Sequence, residues 1–108
     1  MILVIGGLGA GKRNFVAQVL GYGPEAGSAN PEAQTPVLYD LERCDPLPAV
    51  EDLLRREVVV CREVGCGVIP MDAQERNWRE AVGRLCCALA AQAEAVYRVS
   101  CGLGIRLK

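Results

Sequence analysis

The sequence has no histidine, one tryptophan, one phenylalanine and only 5% aromatic residues among its 108 positions. Without histidine, and with no C-x-x-C pair among its six cysteines, the usual structural zinc sites are excluded. So few rings leave a core that must be built mostly from Val, Leu, Ile and Ala. An excess of either charge is missing too: 12 Lys and Arg face 13 Asp and Glu, for a net charge of -1. That balance provides no electrostatic footprint for nucleic acid or an anionic membrane. No apolar run approaches the roughly 20 residues a membrane-spanning helix needs. The opening Met1-Ile-Leu-Val-Ile5 lacks the basic segment of a signal peptide. With the cysteines scattered, reduced thiols in a cytoplasmic protein are the expectation.

The 51% of hydrophobic and 23% of charged residues are those of a globular chain, and the length suits a single domain over residues 1–108. Ile2-Leu-Val-Ile5 is a continuous apolar run that ends in glycines, as a strand buried on both faces does. Phe15, Val16, Val19 and Leu20 then recur at helical spacing, and Gly21 stops that helix. Residues 21–36 are rich in Gly, Pro, Ala and Ser and read as a mobile loop. Val37-Leu-Tyr39 is a second short strand, and Pro46 and Pro48 precede a short helix over 49–56. Val58-Val-Val60 with Cys61 forms a buried strand.

Asp72, with Glu75 three residues on, caps the longest helix, whose stripe is Trp78, Val82, Leu85, Leu89 and Ala93. At that spacing Trp78 reads as core. Glu75–Arg79 and Glu80–Arg84 are placed for surface ion pairs. Val96–Val99 is another strand, from which Gly102 and Gly104 turn into a strand over Ile105–Lys108. Adjacent Cys86 and Cys87 point to different helix faces, and Cys87 is free to touch a partner, a second copy of the chain included. Cys66 sits in a glycine turn and reads as an inert thiol. Strands alternating with helices imply right-handed crossovers. The expected fold class is α/β, three-layer and P-loop NTPase-like, with a mainly parallel sheet and a short C-terminal β-hairpin.

The chemistry resides in Gly6-Gly7-Leu8-Gly9-Ala10-Gly11-Lys12, which fits the G-x-x-x-x-G-K core of a P-loop between a buried strand and a helix. Glycines let successive backbone N–H groups curl round phosphate oxygens. The helix start adds partial positive charge, and the lysine supplies a cation for the outer phosphates. A tight strand-to-helix turn also uses glycines; strand, lysine and helix together favour phosphate. Arg13 stands where a Ser or Thr hydroxyl normally holds Mg2+, and a guanidinium cannot ligate a cation. It either contacts phosphate oxygens itself or points to solvent. A carboxylate at a strand end is the other route to a metal. Asp40 and Glu42 follow the second strand and Glu63 the third, and Glu63 is favoured because it opens a turn at the carboxyl edge of the sheet.

The opening residues through Lys12, together with Glu63-Val-Gly-Cys-Gly-Val-Ile-Pro70, the helix with Arg79, Gly83, Arg84 and Leu89, and Ser100-Cys-Gly-Leu-Gly-Ile-Arg-Leu-Lys108, resemble the cobinamide kinase/cobinamide-phosphate guanylyltransferase family of cobalamin biosynthesis. The resemblance implies a P-loop parallel sheet and GTP or ATP as cofactor. It also implies phosphorylation of a cobinamide (corrinoid) hydroxyl, followed by GMP transfer through a guanylylated histidine. Gly6, Gly7, Gly11 and Lys12 match that family's phosphate loop, and Glu63, Gly65 and Gly67 match the loop beside it. Lys12 and Glu63 are thereby the candidate catalytic residues, and Gly6 to Arg13 the candidate nucleotide-binding residues. The departures are Arg13, the missing histidine and a shorter middle. They leave two readings: a kinase without guanylyl transfer, or a non-catalytic nucleotide- or partner-binding module.

Overall fold

The structure, a computed structural model, describes residues 1–63 and 72–108. Its strands are β1 (Ile2–Gly6), β2 (Gly27–Ser28), β3 (Val37–Leu38), β4 (Val58–Arg62), β5 (Ala95–Ser100) and β6 (Leu103–Arg106). Its helices are α1 (Lys12–Gln18), α2 (Val50–Leu54) and α3 (Ala73–Gln92), with 3-10 turns at Pro24–Ala26 and Leu41–Arg43.

An apolar run such as Ile2–Ile5 needs cover on both faces and neighbours on both edges. β1 has all four. It pairs in parallel with β4, Ile2 opposite Val58, and with β5, Ile2 opposite Ala95. β3 and β2 continue the sheet in parallel beyond β4, and β6 closes the far side antiparallel to β5, giving the order β2-β3-β4-β1-β5-β6. The α/β architecture with a mainly parallel sheet and a C-terminal hairpin agrees with the expectation.

Alternation along the strands divides the core. Leu3, Val59, Cys61 and Val96 face α2 and α3 and pack with Leu53, Val82 and Leu89. Val4, Val58, Val60 and Val99 face the opposite way, onto Phe15 and Val16 of α1. The two covers are unequal. α3 runs 20 residues, whereas α1 runs only seven. Asp72 caps α3 as expected, its Oδ1 accepting the Glu75 N–H at 2.7 Å. The far end is closed by Lys108, whose Nζ donates to the Ala90 and Ala91 carbonyls at 2.9 Å. Both ion pairs expected on α3 form, at 3.3 Å for Arg79–Glu75 and 3.8 Å for Arg84–Glu80.

Three expectations need correction. Residues 21–36 are not a bare loop: they contain β2, and Arg56 donates to the carbonyls of Thr35 and Pro31 at 2.7 and 2.8 Å. Trp78 is 37% exposed rather than core, because its indole N–H reaches out to donate to the Glu42 carbonyl at 3.1 Å. β6 begins at Leu103 rather than Ile105, because the turn is the two-residue Cys101-Gly102, with φ of 51° and 74°. Positive φ at both turn positions matches the twist of paired strands, so the ladder closes directly after it. Cys66 and the glycines Gly65 and Gly67 lie outside the described residues.

Candidate functional site

The carboxyl end of β1 runs directly into the glycine loop, and the loop into α1. Two glycines in it answer to specific constraints. A Cβ at Gly6 would lie 2.7 Å from the Val99 carbonyl, so only glycine lets the loop leave the sheet beside β5. Gly11 caps α1 with φ of 91°, a left-handed conformation costly for other residues, and a Cβ there would also press on Gly102 at 3.0 Å. The loop is braced from outside. Gly102 donates its N–H to the Ala10 carbonyl at 2.8 Å, and Glu63 donates its N–H to the Gly6 carbonyl at 2.8 Å. The turn of the C-terminal hairpin thus holds the glycine loop, a contact that nothing in the local pattern of either segment announces.

Lys12, the first residue of α1, folds back over the loop and donates from Nζ to the carbonyls of Gly7 at 2.7 Å and Gly6 at 3.1 Å. An ammonium has three donors, so one remains for a ligand in this position. Beside it a cavity of about 250 Å³ is lined by Gly9, Ala10, Gly11, Lys12, Arg13, Asn14, Asp40 and Val60. The candidate residues Gly9 to Arg13 therefore share one concave surface; Gly6 and Gly7 are not part of its lining, and Leu8 is exposed. Because α1 has only seven residues, the loop backbone and Lys12 carry this site rather than a long helix dipole.

The three acidic candidates separate completely. Glu42 is 7% exposed and its Oε1 accepts the Arg62 N–H at 2.8 Å, which makes it a buried brace between the 3-10 turn and β4. Glu63 is held by Arg98 through two bonds, at 3.1 and 3.2 Å. Asp40 is the carboxylate that lines the cavity, and it accepts from Arg13 Nη2 at 3.1 Å. Arg13 also lies over the Tyr39 ring, 4.2 Å from its centroid. Burial pushes the Tyr39 phenol up, with Arg13 opposing. The expectation that Arg13 either meets phosphate or faces solvent omits this arrangement. The one signal for it in the sequence is Asp40 at a strand end, which the position of Glu63 at the sheet edge overshadows.

A larger cavity, about 440 Å³, opens between residues 31–36 and α2, at the amino end of β3. Its Arg56 is tied to the Thr35 and Pro31 carbonyls, so that cation serves the chain itself. No helix among the described residues is long and apolar enough to cross a membrane. Cys44, Cys61, Cys86, Cys87 and Cys101 are free thiols. Cys61 is held neutral by its bond with the Cys86 thiol and by burial.

A parallel sheet whose central strand feeds a glycine loop, a lysine and a helix defines the P-loop NTPase-like class of α/β proteins. Within that class the chain belongs to the cobinamide kinase / cobinamide phosphate guanyltransferase family, whose model matches residues 33–107. The match takes in the braces of the loop, Glu63 and the Cys101-Gly102 turn, and leaves residues 6–12 outside it. The chain is 39% identical over 51 residues to the bifunctional adenosylcobalamin biosynthesis protein CobU of Salmonella typhimurium. It is equally similar to the protein of the same description from Escherichia coli. In each case the aligned stretch is 47% of this chain and 28% of the relative.

Mg2+ is the metal such folds use, and the donor set here does not fit it. The hydroxyl position is Arg13, the cavity carboxylate Asp40 is bonded to that guanidinium, and both oxygens of Glu63 are engaged by Arg98. Among the described residues no three His, Cys, Asp or Glu side chains converge as a metal site.

Proposed function

We propose that this chain is a nucleotide-binding member of its family that takes GTP or ATP at Gly6–Arg13, with the outer phosphates against Lys12. The observation that carries this reading is the cavity over the glycine loop, which Lys12 and Arg13 both line. Backbone N–H groups of such a loop and a mobile ammonium suit phosphate oxygens, which are multiply charged acceptors. Family membership makes a cobinamide the acceptor class, and phosphorylation of its hydroxyl the candidate reaction, in a cytoplasmic setting. The hydroxyl oxygen would bond to the γ-phosphorus as the bond to the bridging oxygen breaks, the nucleoside diphosphate leaving and the hydroxyl proton passing to solvent water. Guanylyl transfer through histidine is not part of this proposal, because the sequence has no histidine to carry the GMP.

A second reading, a binding module without turnover, is favoured by the Arg13–Asp40 pair, which engages an oxygen of the cavity's carboxylate within the chain itself. Calorimetric titration with GTP and ATP tests the shared premise, and Lys12→Ala should weaken affinity about tenfold or more with the fold intact. Unchanged affinity in that variant would sink the phosphate-loop assignment. Release of GDP or ADP that depends on added cobinamide separates the two readings: its presence supports the kinase, its absence the binding module. A GMP adduct on the protein after incubation with labelled GTP would restore the guanylyl step.

A further inference from the structure

The misfit between this site and a divalent metal has a positive counterpart. We propose that Arg13 is the resident cation of the phosphate site, held by Asp40 and Tyr39 where it bonds the outer phosphates, so that nucleoside triphosphate binds without a divalent ion. The inference rests on the nucleotide reading above and deepens it.

Four features place the guanidinium for this task. Arg13 follows Lys12 directly and lines the same cavity, so both cations address one volume. Its charge is held on two sides, by the Asp40 carboxylate at 3.1 Å and by the face of Tyr39 at 4.2 Å. Those supports are themselves fixed. Tyr39 is buried and its N–H is bonded to the Ser28 carbonyl at 2.9 Å, and Asp40 is held in a left-handed conformation, φ 57° and ψ 48°, at the start of the Leu41–Arg43 turn. An aspartate tolerates that backbone where most side chains do not. Finally, the side chain of Arg13 remains 63% accessible, and a guanidinium has five donors, of which the carboxylate takes one. The rest of the fork is open to phosphate oxygens, which it matches in planar geometry.

A carboxylate beside a phosphate site is unfavourable unless a cation lies between them. In a metal-dependent site that cation arrives with the nucleotide. Here it is covalently part of α1, and Asp40 orients it rather than ligating an ion. Lysine at the same position would keep the charge and lose both the fork and the stacking on Tyr39.

Titrations of GTP and ATP in magnesium and in chelator, on the wild-type chain and the Arg13→Ser and Arg13→Lys variants, test this, with thermal midpoints confirming the fold. Wild-type affinity should agree between the two buffers within about twofold. Arg13→Ser should lose about tenfold or more in chelator and regain it with magnesium, since it restores a hydroxyl and frees Asp40. Arg13→Lys should fall between them. Wild-type binding that requires magnesium overturns the inference while leaving the nucleotide reading intact. Arg13→Ser with undiminished affinity in chelator also overturns it. No binding of either nucleotide in either buffer removes the nucleotide reading, and this inference with it.

Discussion

Two arginine–carboxylate pairs flank the glycine loop, and they differ in almost every respect but chemistry. Arg98–Glu63 joins the ends of β5 and β4 across the terminus of β1, through two bonds at 3.1 and 3.2 Å. Both donors of one edge of the guanidinium meet both oxygens of the carboxylate, which leaves little of either for a ligand. Arg13–Asp40 makes a single bond at 3.1 Å, leans on an aromatic face and borders a cavity. The first pair ties strands. The second leaves most of its donors open. An ion pair at a sheet edge is thus read by what it leaves unsatisfied, since an arginine and a carboxylate make up both pairs here.

The loop between the pairs is the reference against which each is judged, and altering it should have the largest effect. Gly11→Ala forces a side chain onto a residue with φ of 91° and against Gly102. A loss of about 1–3 kcal/mol in denaturant unfolding is expected, with nucleotide affinity falling alongside. Equal stability would mean that the loop relaxes away from the hairpin turn. Next in size, Glu63→Gln should lower stability by up to about 1 kcal/mol, a figure held down by the solvent exposure of Arg98, and should leave nucleotide affinity unchanged. Asp40→Asn should do the reverse: it keeps a residue that tolerates the left-handed backbone, so the melting temperature holds while the magnesium dependence of nucleotide binding changes. If both variants alter the same observable, the division between framework pair and site pair is wrong.

The smallest expected effect concerns pH and serves as a control on both. Burial raises the Cys44 thiol above its ordinary 9.0. A folded-state pKa above the unfolded value contributes stability fully below about 9.0 and loses it as pH rises through the folded value. Unfolding midpoints should therefore decline in alkaline solution, with Cys44→Ala flattening that decline. Iodoacetamide at mild pH should reach the exposed Cys87 and Cys101 before buried Cys44 and Cys61. Early labelling of Cys61 would contradict its packed position between β4 and α3.

What was legible in the sequence followed from how local each cause is. Ile2–Ile5 and Val58–Cys61 announced buried strands because short, continuous apolar runs beside glycines suit little besides a strand covered on both faces. Asp72 announced its cap because partner and donor lie three residues apart. The P-loop spacing located the cavity for the same reason. Arg13 and Asp40 stand 27 residues apart, and their meeting depends on how α1 crosses the sheet, which no spacing rule encodes. Glu42 has the pattern of a surface acid, and only the Arg62 N–H supplies a reason to bury it. Trp78 lay on the right stripe, yet its indole N–H needed an acceptor, and the Glu42 carbonyl drew it to the rim. Glu63 stood at the expected edge of the sheet; the presence of Arg98 two strands away was the part that sequence order concealed.

The bond from Gly102 to Ala10 carries a consequence for how the molecule comes into being. During translation the glycine loop leaves the ribosome well before the Cys101-Gly102 turn, and chains are made at about 5–20 residues per second. β1 then has no sheet to join, since its neighbours β4 and β5 are synthesised long after it. The loop acquires its outer brace only once the Cys101-Gly102 turn has emerged and folded back beside it. Nascent chains halted before that turn should therefore lack the braced glycine loop, however much of α1 has already formed. A segment made before its neighbours is thus completed only after them, and the bond from Gly102 to Ala10 marks the closing of the hairpin.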